Sequence, residues 1–234
     1  MKRRILSMIL IIAVLTGMLP GAVFAGNLTS TVNGQKTEAP LWETLLETNQ
    51  HYLIAQAETF APEVGSANGE WMVLGLARNG VASDRDFFGA YYESVKDYVQ
   101  ENINAETGHL HPYKSTENAR VIIALTAIGK DVTDIDGQNL LRGLDTLSYI
   151  TYQGMNGPIF ALLALDTAGY APVSEEHLSR EQLISYILDH QLPDGGWAAE
   201  STQDYADDMT PMALQALAPY YDSNPAVKAA VDRA

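Results

Sequence analysis

The chain has 234 residues, of which 14 are basic and 29 acidic, for a net charge of −15. A field of that sign repels nucleic acid and anionic lipid surfaces, so those partners are excluded. The absence of cysteine rules out disulfide staples and thiolate chemistry, and leaves stability to packing.

At the N-terminus, Lys2, Arg3 and Arg4 precede an apolar run from Ile5 to Leu15 broken only by Ser7, and Val23-Phe24-Ala25 closes it with a small-residue cleavage pattern. That is the layout of a secretory signal peptide over residues 1–25, and it predicts an exported protein, secreted or held at the cell surface of a bacterium. The apolar run is too short for a bilayer span, so no membrane span is expected once the signal is removed. Cleavage takes away three of the basic residues and none of the acidic ones, leaving a net charge of −18. Residues 26–39 are polar and unpatterned and read as a flexible lead-in; residues 40–234 read as one repeat domain.

Within 40–234 the apolar residues follow helical spacing and strand-like alternation is nearly absent, which predicts an all-α fold. Helices are expected over 40–58, 69–79, 84–102, 116–129, 138–151, 158–168, 180–191, 210–221 and from 225 onward. Pro40, Pro158, Pro211 and Pro225 mark first helical residues, the last three behind Gly157, Thr210 and Asn224 as N-caps. Ser179 with Gln182 is a capping box, Ser83 with Asp86 a looser one, and Gly80, Gly129 and Gly169 are placed to close helices in the left-handed conformation.

A repeat runs through these helices. Leu76, Leu125, Leu165 and Leu217 each follow a small residue, and in three copies a glycine stands four residues later; the separations of 49, 40 and 52 residues fit one helix pair per repeat. A second register concerns the alternate helices: Tyr98 precedes Gly108 by ten residues, as Tyr186 precedes Gly196, so one turn is expected to be made twice.

Gln191-Leu-Pro-Asp-Gly195-Gly-Trp197, with Tyr186 ahead of it, resembles the "QW" motif of squalene-hopene cyclases. Together with the small-Leu helices it makes residues 40–234 similar to the prenyltransferase and squalene-cyclase repeat family. The resemblance implies an α/α toroid of inner and outer helices, in which Tyr186, Gln191, Gly195 and Trp197 are structural and the QW turn ties outer helices together by amide-to-indole stacking. A complete toroid of six pairs needs more helices than the nine expected here, so further repeats or an anchoring domain are expected beyond Ala234.

The resemblance also frames the chemistry. Cyclases of the family protonate substrate with Asp-x-Asp-Asp-Thr; here Asp204-Tyr-Ala-Asp207-Asp208-Met-Thr210 breaks that motif in either alignment, which leaves Asp207 and Asp208 as weak catalytic candidates and capping acids in the first instance. The zinc chemistry of protein prenyltransferases needs a cysteine that is absent. His109 and His111 lie in a loop with no recognisable ligand set, so no metal is expected. In a toroid the inner helices begin at one mouth, which would collect Trp71, Glu117, Asn118, Arg120, Tyr152, Asn156 and Asp204 as binding residues. The functional expectation is a non-catalytic ligand-binding or scaffold module for a small-molecule or cell-surface ligand. The alternatives are a cyclase-like or polysaccharide-acting enzyme, and a cobalamin carrier, since Gly157 to Gly169 resembles a segment of the intrinsic-factor and transcobalamin carriers.

Overall fold

The computed structural model describes residues 41–65, 69–173, 178–200 and 208–234; the signal segment, the lead-in, Asp204 and Asp207 lie outside the described residues. The fold is all-α: among the described residues there are nine α-helices, and the only β-type pairing among them is an isolated bridge between Ile135 and Gln138. No described helix is long and apolar enough to cross a membrane. The chain divides into two compact units, one ending at Tyr91 and one beginning at Tyr92.

In the first unit, α1 (Leu41–Thr59) packs on α2 (Glu70–Arg78), and Asn79 at the end of α2 donates to Gln50 Oε1 at 2.7 Å. Glu70 is buried, and its carboxylate accepts the Gly65 amide at 2.8 Å, which satisfies a charge that would otherwise be costly to bury. Helix α3 (Asp86–Asn102) begins in this unit, where Phe88 and Tyr91 are fully buried, and continues into the second.

The second unit contains α4 (Ser115–Ala127), the short α5 (Leu147–Ile150), α6 (Asn156–Asp166), α7 (Arg180–Asp189), α8 (Met209–Leu217) and α9 (Pro225–Val231). Helix α6 is central: α4 packs on it from one side and α8 from another, while α7 joins it and contacts α9 in turn. Its Ile159, Ala161, Leu162, Ala164 and Leu165 are all buried, as suits a helix covered on most faces. The alternate helices α4, α6 and α8 are thus neighbours in order, as are α7 and α9.

The repeat leucines occupy equivalent places. Leu76, Leu125, Leu165 and Leu217 are all buried. In three copies the leucine carbonyl accepts the bond that closes the helix: Val81 N to Leu76 O at 3.1 Å, Lys130 N to Leu125 O at 2.9 Å and Tyr170 N to Leu165 O at 2.8 Å. Each closure passes through a glycine of positive φ, at Gly80, Gly129 and Gly169, a backbone that other residues adopt only with strain. The fourth copy differs because Pro219 has no amide to continue the helix, and the chain turns through a 3₁₀ segment, Ala218–Tyr220.

Hydroxyl contacts also link one repeat to the next. Thr126, one residue after Leu125, meets the Tyr170 hydroxyl at 2.8 Å, and Asp166, one residue after Leu165, accepts the Tyr220 hydroxyl at 2.8 Å. Asp166 also pairs with Arg180 at 2.7 Å, and Arg180 donates to the carbonyls of Leu165 and Tyr170. Burial first, and then the Asp166 carboxylate, raise the Tyr220 pKa, so that phenol stays a donor.

Several sequence expectations need adjustment. The expected helix 138–151 is three pieces: a 3₁₀ turn (Leu140–Leu144), α5 and a second 3₁₀ turn (Thr151–Gln153). It breaks because the Leu140 carbonyl is taken by the Asn118 side chain at 3.1 Å, and because Gly143 lets that amide in; a Cβ there would lie 2.1 Å from Asn118 Nδ2. Pro158 and Pro211 are third rather than first helical residues, which is tolerated since the first turn's amides lack helical acceptors. Gly157 is accordingly not a cap: its role is close approach, with the Ile150 carbonyl 1.8 Å from where a Cβ would stand. Asn224 and the Ser179–Gln182 capping box are as expected, whereas α3 starts only at Asp86, so Ser83 is not its cap.

Candidate functional site

Two related turns stand where one turn was expected twice, the first longer than the second by one residue. In the first copy Asn104 N donates to His109 O at 2.9 Å and Gly108 N to Asn104 O at 2.7 Å; in the second Leu192 N donates to Gly196 O at 2.8 Å and Gly195 N to Leu192 O at 3.0 Å. Gly108 therefore matches Gly195, not Gly196, and both have positive φ, at 76° and 100°. Two residues on, the Leu110 amide donates to Asn118 Oδ1 and the Trp197 amide to Thr210 Oγ1, both at 2.9 Å. Asn118 and Thr210 each stand seven residues before a repeat leucine.

Asn118 uses its whole amide on backbone. Besides Leu110 it serves the carbonyls of Gly108, at 2.8 Å, and Leu140, and it is fully buried. Asn118 was expected at a mouth; its side chain is instead fully buried and clamps backbone.

Above that clamp, two segments bring aromatic rings together. His109, His111 and Tyr113 alternate along the loop before α4, and Tyr149 and Tyr152 come from α5 and the turn after it. The His109 ring lies flat on Tyr149, with centroids 3.5 Å apart and planes 7° apart. Tyr113 stacks on Tyr152 at 5.4 Å, and His111 meets Tyr113 edge-on at 6.3 Å. The Tyr149 hydroxyl donates to the His111 carbonyl at 2.5 Å, which ties the two stacks into one surface. Tyr113 and Tyr152 remain 57% and 68% exposed, so their apolar faces meet water.

Several polar groups around these rings are already engaged, and the exposed Lys114 follows Tyr113 in the chain. His111 Nδ1 accepts the Tyr113 amide at 3.1 Å, which leaves the neutral ring's proton on Nε2. Gln153 Oε1 accepts from the Thr116 amide and hydroxyl at 3.2 and 3.1 Å, and its Nε2 has no partner among the described residues. Glu117 is paired with Arg120 at 2.7 Å. Burial lowers the His109 pKa and favours the uncharged ring. Burial, with a smaller contribution from the Glu117 charge, pushes the Tyr149 phenol up to about 12.

Of the expected binding residues, Glu117, Arg120 and Tyr152 thus lie in or beside this surface. Asn156 is the half-buried first residue of α6. Trp71 lies in α2, in the first unit. Asp208 is exposed at the N-cap of α8, and its side chain makes no capping bond. His109, His111, Tyr113, Tyr149 and Gln153 were not expected; the two-residue spacing of the first three, which in extended chain puts side chains on one side, is the signal that would have found them.

The QW-like segment is built into the packing. Trp197 is fully buried and its Nε1 donates to Ile187 O at 2.7 Å. Gln191 Nε2 donates to the carbonyls of Gly195 and Ala230, both at 2.7 Å, and its Oε1 accepts from Arg233. The turn after α7 is thereby hydrogen-bonded to α9. Tyr186 stacks on His190 at 4.0 Å, and beside them lies a cleft of about 210 Å³ that Met155, Leu192, Ala198 and Glu200 also line. That is below the roughly 300–1,000 Å³ of pockets that enclose drug-sized ligands. Among the described residues, no group of three or more His, Asp or Glu side chains is placed to hold a metal ion.

Comparison of the chain with protein-family models, with curated proteins and with solved structures gives no match.

Proposed function

We propose that the chain is an exported, non-catalytic ligand-binding module whose helix pairs follow the α/α toroid plan of prenyltransferase and squalene-cyclase-like repeats. It takes its ligand on the aromatic surface at the start of α4. The observation that carries this reading is the pair of exposed tyrosines, Tyr113 and Tyr152, stacked on each other over a fully buried clamp. Two exposed rings stacked on each other offer a ligand a contiguous aromatic contact at the surface.

Non-catalysis is supported by the acidic segment before α8. A carboxylic acid that protonates an alkene must be kept from water. Asp208, the described member of that segment, is exposed. The repeat plan is supported by the leucine-centred helix closures and by the contact order of α4, α6 and α8.

The test uses three probes on the full chain: cyanocobalamin, a purified cell-wall polysaccharide fraction and squalene. The expected result is retention of one probe without turnover, lost in the variant Tyr113→Ala/Tyr152→Ala. Turnover of squalene that Asp208→Asn abolishes would overturn the reading in favour of a cyclase. Retention that survives the double tyrosine variant would move the ligand elsewhere.

A further inference from the structure

We infer that the aromatic surface binds a neutral polysaccharide, stacking sugar rings on Tyr113 and Tyr152. This inference rests on the reading of that surface as the ligand site, and it names the ligand's chemistry.

Four observations converge on that chemistry. The first is shape: Tyr113 and Tyr152 stand at the surface, 57% and 68% exposed, each with one face on the other, and not inside a pocket. An open face suits one side of a chain, whereas a small molecule gains most from enclosure. The second is the character of the faces. A pyranose has flat C–H faces and a rim of hydroxyls, and the negative face of an aromatic ring attracts C–H groups laid against it.

The third is the rim around the rings. Gln153 Nε2 is a donor with no partner among the described residues, a neutral His111 ring would donate from Nε2, and the Tyr113 and Tyr152 hydroxyls can donate or accept. These neutral groups match hydroxyls, which also donate and accept. The fourth is charge. Glu117 is paired with Arg120, and the exposed Lys114 next to Tyr113 is one base, too little to hold a polyanion against the chain's net charge. The net charge of −15 opposes phosphorylated or sulfated chains at a distance.

The residues around the two rings are held by contacts of their own. His109 lies flat under Tyr149, Tyr149 is bonded to the His111 carbonyl, and Thr116 holds Gln153. A platform already ordered loses little freedom on binding.

The test is affinity electrophoresis of the full chain in native gels containing hydroxyethylcellulose, xylan or mannan, with heparin as the polyanion control. The expected result is retardation by at least one neutral polysaccharide and none by heparin. The double variant Tyr113→Ala/Tyr152→Ala should weaken retardation at least tenfold while its circular dichroism is unchanged. Tyr52→Ala, which removes an exposed tyrosine of α1, should leave retardation as it is. Failure of all three neutral polysaccharides to retard the protein overturns the inference, and so does retardation by heparin alone. If those gels fail but choline chloride or cyanocobalamin binds and the double variant loses it, the carbohydrate inference falls and the ligand site stands. If retardation occurs and the double variant keeps it, both fall.

Discussion

The two turns, one ahead of α4 and one after α7, close in the same way, the first with one residue more, and differ in what they carry. Each uses a left-handed glycine and one side-chain acceptor to fix the amide two residues beyond it, Asn118 in the first copy and Thr210 in the second. The positions decorated by His109, His111 and Tyr113 in the first copy hold Gly196, Ala198 and Glu200 in the second. The first copy therefore builds an aromatic surface. The second leaves a small cleft beside Tyr186 and His190, and spends its one large residue, Trp197, in the core. The comparison separates two jobs: a glycine and a hydrogen-bonding side chain make the turn, and alternate residues on it are free to specialise.

The clamps are the strongest place to break that comparison. Asn118→Ala strands the Leu110 amide and the carbonyls of Gly108 and Leu140 in a buried site, and at 1–3 kcal/mol for each unsatisfied group it should cost about 4 kcal/mol of unfolding free energy. Gly195→Ala comes next, at about 3 kcal/mol, because φ is 100° and the Arg233 carbonyl stands 2.2 Å from the new Cβ. Thr210→Val removes one acceptor from the Trp197 amide and should cost about 1–2 kcal/mol. Urea unfolding of the three variants checks the order; equal losses at Asn118 and Thr210 would mean that the two clamps are equivalent. Tyr113→Ala/Tyr152→Ala should cost little stability, about 0.5 kcal/mol, since both rings are exposed.

The smallest effect concerns pH. Burial lowers the His109 pKa below the ordinary 6.5, so the unfolded chain binds the proton more readily than the folded one. The stack on Tyr149 should therefore be unaffected above about pH 6.5 and lose stability as pH falls through and below that value. Titration of the His109 ring by NMR should give an apparent pKa under 6.5 that rises when Tyr149→Ala uncovers it.

Much of the helical frame was legible because its signals are local. Ser179 with Gln182, Asn224 before Pro225, and the glycines after three repeat leucines each act within a few residues of the backbone they govern. The broken helix over 138–151 was not legible, since its cause lies in Asn118, 22 residues from the Leu140 carbonyl it captures. Pro158 and Pro211 misled by two positions because the first helical turn accepts proline at more than its first residue. At the candidate site, Tyr152, Glu117 and Arg120 were named from the start of α4 and the loop before α6, and they lie in or beside the aromatic surface. The rings stacked on one another were not legible, because His109 with Tyr149 and Tyr113 with Tyr152 are pairs joined only by folding. Trp197, read as structural from its turn, is completely buried.

The ligand surface itself can be observed directly by fluorine NMR of the full chain labelled with 3-fluorotyrosine, its resonances assigned by single Tyr→Phe variants. On addition of the neutral polysaccharide that retards the protein, the Tyr113 and Tyr152 signals should shift or broaden together while Tyr52 and Tyr186 stay unchanged. Signals of Tyr113 and Tyr152 that remain still while Tyr186 responds would place binding at the cleft after α7 and contradict the account.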